Sequence, residues 1–409
     1  MRSPLLPIFL IVLVDVLGLT LILPLLPFYA EHFGATPAVV GLLVSAFAVC
    51  QLFAGPVLGK LSDRFGRKPL LVVSQAGTFA GFLLLANAWA LWVVFLARVI
   101  DGITAGNLSI AQAYIADVTR PEDRAKSFGV IGVAFGLGFL MGPAVSGWLA
   151  HYDVRYPIYG AAALSAMSIL ATLALLPKPV PVASAPEGSY RGEKAPAPPP
   201  AGPRLGVFDW GQYTQYFQRE DLAGLLVRFF LFAFSFALFT GGFALFAERR
   251  FTTAAGHPFG PREVGYLLAY PALLGIFLQG GLIGRLVKRF GEPRIILTGF
   301  AALTAAYVVL AFAPTITWLM VSATLGAYGN GVLRPSITSL ITQRVERSEQ
   351  GVTLGLTQSL TSVSGILAPP LAGVLIDHRW LTAWALCAAV VALIGLLLPM
   401  SMQPVRRTA

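Results

Sequence analysis

The feature that most constrains this chain is a succession of long apolar stretches that recurs from one end to the other. A bilayer's hydrocarbon core is about 30 Å thick, and a helix needs about 20 apolar residues to cross it. Divided at its charged and Pro/Gly-rich breaks, the sequence yields about twelve such stretches. They fall at 5–30, 38–59, 69–89, 91–115, 127–150, 157–176, 222–247, 263–287, 294–313, 315–341, 352–376 and 381–400. Composition supports the same solvent: 56% of residues are hydrophobic and 12% charged, where a soluble domain carries about 25% charged residues. A soluble fold this apolar has too little polar surface to cover itself, so the surplus faces lipid. The first stretch reads as a span rather than a cleaved leader. It outruns a signal h-region, contains Asp15 and lacks a small-x-small cleavage site.

The net charge of +10 invites a nucleic-acid partner, but its placement argues for topology. Arg155, Arg249, Arg250, Arg262 and Arg379 fall on one side of the predicted spans, and Arg98, Arg228 and Arg334 within them. Every other lysine and arginine falls on the opposite side. Positive residues gather in cytoplasmic loops, which predicts that both termini are cytoplasmic and that no nucleic acid is bound. Cys50 and Cys387 lie far apart in apolar stretches and read as buried thiols without a redox role. No metal-ligand cluster, nucleophile–base pair or appended soluble domain is present, so neither an enzyme nor a metal site is expected.

Residues 177–221 break the apolar pattern. The first part is rich in Pro, Ala, Gly and Ser and reads as a cytoplasmic linker; the second, with Tyr213, Tyr216 and Phe217 at helical spacing, is either an interfacial helix or an ordered approach to the next span. The linker separates two six-span halves, 1–176 and 222–409, which resemble each other. Gly59, Leu61, Arg64, Phe65 and Gly66 recur as Gly284, Leu286, Arg289, Phe290 and Gly291. Gly129, Pro143 and Gly147 recur as Gly355, Pro369 and Gly373 at nearly the same separation. Repeat halves packed around a midplane site are how many secondary transporters alternate access. A static pore suits this pattern less well.

Three segments carry a family resemblance. Gly55-x-x-x-Gly59-Lys60-x-x-Asp63-Arg64-x-Gly66-Arg67-Lys68 resembles the loop signature of the major facilitator superfamily, and the resemblance implies that Asp117 pairs with its arginines. Gly129-x8-Gly138-x3-Gly142-Pro143-x2-Ser146-Gly147 resembles the antiporter signature of the superfamily's drug–proton exchangers. Its small residues equally suit close helix packing with no bearing on direction. Asp15 to Pro27, the loop and GITAGNLSIAQAYIAD are most similar to the tetracycline-efflux and multidrug branch. The family fold is an all-α membrane protein of twelve transmembrane helices in two six-helix pseudo-repeat halves. The excess of arginine over lysine with abundant alanine points to a GC-rich genome and so to a bacterial inner membrane. The resemblance implies a proton-driven exporter of amphipathic small molecules. It needs no cofactor beyond the proton gradient and, with two halves in one chain, works as a monomer. A proton-coupled symporter or uniporter for a nutrient or lipid-like solute is the alternative. One departure stands against tetracycline itself. The acidic residue that tetracycline exporters carry in the third span is replaced here by Gly81, and no span holds a histidine; His32, His151, His257 and His378 fall in external loops.

An ionisable residue at membrane mid-depth costs about 2.5–3.5 kcal/mol on insertion scales and is a functional candidate for that reason. Asp15, halfway along the first span, reads as the proton carrier. Arg98 and Asp101, three apart on one helix face, either tune it or share its task; a static buried pair is the alternative. Arg334 either faces an anionic substrate, pairs with Asp15 or Asp101, or snorkels. Arg228, near a span end, is expected to snorkel. Gln51, Gln75, Asn107, Gln112, Gln279, Asn330 and Gln358 either line a substrate cavity or join helices. Among the phenylalanines of the seventh span, Phe236 and Phe239 are the candidates to reach a substrate. The gating set is Gly59, Asp63, Arg64, Gly66, Arg67, Asp117, Gly138, Gly142, Pro143 and Gly147.

Overall fold

Breaks inside individual crossings explain why twelve crossings contain more than twelve helices. The computed structural model describes residues 5–119, 124–176, 210–345 and 349–399. The first crossing is α1 (Leu5–Ile22) and α2 (Leu26–His32), bent by 45°. Pro24, which cannot donate a backbone N–H, sits at the bend. Next come α3 (Pro37–Phe65) and α4 (Arg67–Ala86). The fourth crossing breaks at Thr104–Gly106 into α5 (Leu91–Ile103) and α6 (Asn107–Val118). The half closes with α7 (Arg124–Ala150) and α8 (Tyr156–Leu175).

A short α9 (Trp210–Gln218) precedes α10 (Glu220–Arg250). The eighth crossing is α11 (Pro261–Phe277), a π-type turn at Leu278–Leu282, and α12 (Ile283–Phe290). Then follow α13 (Glu292–Phe312), α14 (Ile316–Gln343), α15 (Gln350–Asp377) and α16 (Leu381–Leu397). Among the described residues every regular element is a helix, apart from one bridge between Thr252 and Pro258. Eight crossings are long and apolar enough to span a bilayer, and the bent α1/α2 pair makes a ninth. The remaining three are the interrupted α11/α12, the polar α14 and the 17-residue α16. The part of the linker at 177–209 lies outside the described residues.

Each half has its own packing. In the first, α1 packs on α7 and α8, and α4 on α5 and α8. In the second, α10 packs on α15 and α16, and α13 on α14 and α16. The halves meet where α3 lies on α15 and α7 lies on α11. The ends of the bundle differ. One carries the Gly59–Lys68 loop and its echo, and is called here the basic end; the other is the sparse end.

One expectation is corrected. Arg228 does not snorkel: it is 1% exposed, and its Nη2 donates to the Leu398 carbonyl at 2.5 Å. α16 ends at Leu397 with Pro399 just beyond, so its last carbonyls need partners, and a guanidinium suits a helix C-terminus. Phe239 is half-buried, and its ring lies 4.9 Å from Phe243, 5.7 Å from Tyr307 and 6.4 Å from Trp384, in a cluster that fastens α10, α13 and α16 together. Phe236 stacks on Phe232 along α10.

Candidate functional site

Asp15 sits on α1 facing α4, α6 and α8. Its carboxyl is surrounded by the polar groups of Ser168, Gln75 and Asn107, and none of these neighbours is charged. The cradle is held from behind. Gln75, fully buried on α4, donates from Nε2 to Ser168 Oγ at 2.7 Å and accepts from Thr172 Oγ1 at 2.9 Å. Ser165 Oγ donates to the Gln75 carbonyl at 3.2 Å. Ser168 therefore spends an acceptor site on Gln75 and keeps its own O–H for the carboxylate. Asn107 opens α6 directly after the chain break, and its Oδ1 has no partner. A carboxyl among neutral groups that both donate and accept is compatible with either protonation state. Sequence reasoning missed Ser165, Ser168 and Thr172, although their spacing on α8 was the available signal: one helical stripe of hydroxyls in an apolar span.

Arg98 and Asp101 form a second centre on α5. Arg98 Nη1 lies 2.8 Å from Asp101 Oδ2, and the residues are 6% and 5% exposed. The guanidinium also lies over the Phe47 ring of α3, 4.3 Å from its centroid. Thr78 on α4 reaches the Asp101 carboxyl. This pair does not touch Asp15; the two centres use different residues of α4. Gly81 lets α4 approach this centre: a Cβ there would stand 3.2 Å from both the Ala97 carbonyl oxygen and the Asp101 Cβ.

The loop at the basic end is a network centred on Arg67. It contacts Asp63 at 2.5 Å and Asp117 at 2.8 Å, and donates to Ser62 Oγ at 2.6 Å. The expected pairing of Asp117 is therefore present. Lys68 donates to the carbonyls of Leu173 and Leu176 at the end of α8, both at 2.8 Å. Gly66 has φ +96°, a conformation that favours glycine. The echo repeats the geometry: Gly291 has φ +78°, and Arg289 lies over Phe290 as Arg64 lies over Phe65. Its polarity is reversed. Glu292 stands where Arg67 stands, and accepts from Gln343 at 3.1 Å and Ser339 at 3.4 Å.

The fifth-span signature divides between two partners. Gly138 and Gly142 admit α1: a Cβ on Gly138 would meet Val16 at 2.5 Å, one on Gly142 would collide with Thr20, and Thr20 Oγ1 donates to the Gly138 carbonyl at 2.9 Å. Pro143 and Gly147 instead face the other half, where Gly265 of α11 packs on Pro143 and Gly147 packs on the Arg262 carbonyl. The second half mirrors this. Gly41 of α3 packs on Pro369 and Pro370, and Gly373 packs on Pro37 and Ala38. Both seams lie toward the sparse end. The Ser45–Ile366 bond of 2.6 Å and the Glu31–Arg249 ion pair of 2.6 Å join the halves there too. At the basic end, Gly59, Gly284 and Gly355 have open space beside them. Among the described residues the two halves are joined at the sparse end, with open space beside these glycines at the basic end.

The remaining cavity candidates separate by exposure. Gln51 is half-buried, while Gln112 and Gln358 are exposed. The side chain of Gln279 lies outside the described residues. Asn330 is half-buried, with its Oδ1 lacking a partner. Arg334 is exposed and pairs with neither Asp15 nor Asp101.

These features, two six-helix halves related by repeat and sealed at one end around interior charges, define a polytopic membrane transporter fold. The sequence profile described as Major Facilitator Superfamily matches residues 8–283 and 251–408. The class C tetracycline resistance protein of Escherichia coli is 31% identical over 88% of this chain and 86% of its own length. Multidrug resistance protein 2 of Bacillus subtilis is 26% identical over 90% and 87%. Among solved structures, the nucleoside transporter NupG (D323A mutant) superposes with a TM-score of 0.76 at 16% identity, covering 96% of this chain and 98% of that one. The chain belongs to the major facilitator superfamily.

Proposed function

We propose that this protein exports amphipathic small molecules in exchange for protons, with Asp15 as the proton carrier. The basic end faces the cytoplasm, as do both termini, and the membrane is a bacterial inner membrane. The observation that carries the reading is the Asp15 cradle: an acid at mid-depth, without a cation beside it, held by Ser168, Gln75 and Asn107. Kinship with tetracycline and multidrug resistance proteins supports the direction and the substrate class. In this reading Arg98 and Asp101 brace α5 against α3 and α4 rather than carry the proton. The Arg67 network and the two proline–glycine seams are the contacts exchanged as the halves rock. The protein works as a monomer and needs no cofactor beyond the proton gradient.

The test is proton movement in acid-loaded proteoliposomes on addition of amphipathic compounds of different charge, among them tetracycline and dansylglycine. Drug-triggered proton release that Asp15→Asn abolishes is the expected result. Drug movement that is indifferent to Asp15→Asn and to the pH gradient would sink the exchange mechanism.

A further inference from the structure

The interior charges of the second half do not balance. Asp15 has its polar cradle, and Arg98 has Asp101. Arg334 has no hydrogen-bond, ion-pair or ring partner among the described residues. Its position is interior. α14 turns Ser322, Gly329, Val332 and Leu333 toward α13, with Ser322 Oγ donating to the Ala306 carbonyl at 2.8 Å. Gly331 meets Leu278 of the eighth crossing. Helical geometry places Arg334 on the side away from α13, solvent-accessible but enclosed by protein atoms. Asn330, one turn earlier on the same side, has a buried Oδ1 without a partner. At 1.5 Å per residue, Arg334 lies about 14 Å from the basic end of α14, and Asp15 about 15 Å from that end of α1. The two stand at one depth in opposite halves, on the open side of the seal.

We infer that Arg334 is the anchor for the negatively charged group of an amphipathic organic anion, with Asn330 accepting a hydrogen bond from the same substrate. The inference rests on the transport reading above and names the substrate class. A solvent-reached guanidinium with no ion-pair partner is available to a ligand, and it presents a planar fork of donors that fits a carboxylate, sulfonate or phosphate. A cationic drug at the same place would meet like charge without compensation. Protonation neutralises the Asp15 carboxylate, which removes a repulsion from an anion on Arg334 and does not displace it. Exchange between them therefore rests on the halves closing over either one alone, not on competition for one charge.

The experiment is binding to the purified full chain in phosphatidylcholine nanodiscs, read by the fluorescence of three matched probes. These are dansylglycine, its uncharged methyl ester, and the cationic dansylethylenediamine. Dansylglycine is expected to bind about tenfold or more tightly than the ester, as loss of a charged hydrogen bond predicts, with the cation weakest. Arg334→Gln should erase that preference and Arg334→Lys should retain part of it. The acid-over-ester preference of the unaltered protein decides the matter even if Arg334→Gln does not fold. Equal binding of acid and ester, tighter binding of the cation, or binding of none overturns the anchor. Displacement of dansylglycine by phosphatidylglycerol in the disc would make the anion a lipid headgroup and overturn a soluble substrate. Proton-linked movement is read separately in proteoliposomes. Its absence with anion binding intact would defeat the export reading and leave the anchor standing.

Discussion

Asp101 and Arg98 show how differently two buried acids behave in one half. Asp101 has a cation within 2.8 Å and Asp15 has none nearby. Removing one member of a buried pair strands the other, at about 3–5 kcal/mol. Asp101→Asn is therefore expected to lower thermal stability sharply, and Arg98→Leu with Asp101→Leu to recover much of it; differential scanning fluorimetry in detergent compares them. If the double variant is no more stable than Asp101→Asn, the pair is not a self-contained brace. Asp15→Asn should instead leave the melting temperature nearly unchanged, because its neighbours are neutral groups that suit an amide as well. Thr20→Val tests a smaller contact. It removes the bond to the Gly138 carbonyl, and about 0.5–1.5 kcal/mol of stability should go with it.

At the scale of elements, the glycines of α7 and α3 act by what they admit. Gly142 lets α1 lie against α7, and Gly41 lets α3 lie against α15. These contacts predict different failures. Gly142→Val overpacks a seam inside one half, which costs about 1–3 kcal/mol and should reduce the yield of folded protein. Gly41→Val overpacks a seam between halves that must part during transport. It should spare folding and bias the bundle toward opening at the sparse end. Labelling of Ser45→Cys by a membrane-impermeant maleimide from that side reports the shift. Faster labelling in the Gly41→Val background is expected; unchanged labelling would mean that the seam does not control the opening.

For the whole molecule, the Glu31–Arg249 pair is the charged clasp of the seal, joining α2 to α10 with Glu248 also 2.8 Å from Arg249. A partly exposed pair is worth about 1 kcal/mol or less, enough to shift a two-state population a few-fold but not to lock it. Glu31→Gln should thus alter the open–closed balance without stopping transport. Joining Glu31→Cys and Arg249→Cys with a short cleavable cross-linker should stop transport until the link is cut. Continued transport with the link in place would exclude rocking about this seam. In the proposed rocking, the clasp, the two seams and the Arg67 network would act as one mechanical unit, opening one end as the other closes.

Much of this was legible in the residues. The number of crossings, the division into halves and the isolated Asp15 all follow from hydropathy and charge, because lipid penalises polar groups at every position independently. The loop signature and its echo were legible because glycine is required at the positive-φ turns of Gly66 and Gly291. Pairing was not legible. Sequence spacing linked Arg98 to Asp101 through one helix turn, but nothing in it placed Ser168 beside Asp15, Arg228 on the carbonyl of Leu398, Asp101 against Gly81, or Arg334 alone. Those outcomes depend on which helix faces meet, and residues far apart in the chain meet only when whole helices pack. The sequence by itself determined the solvent, the crossings and the repeat; the tertiary structure decided which charges are answered and which end is closed.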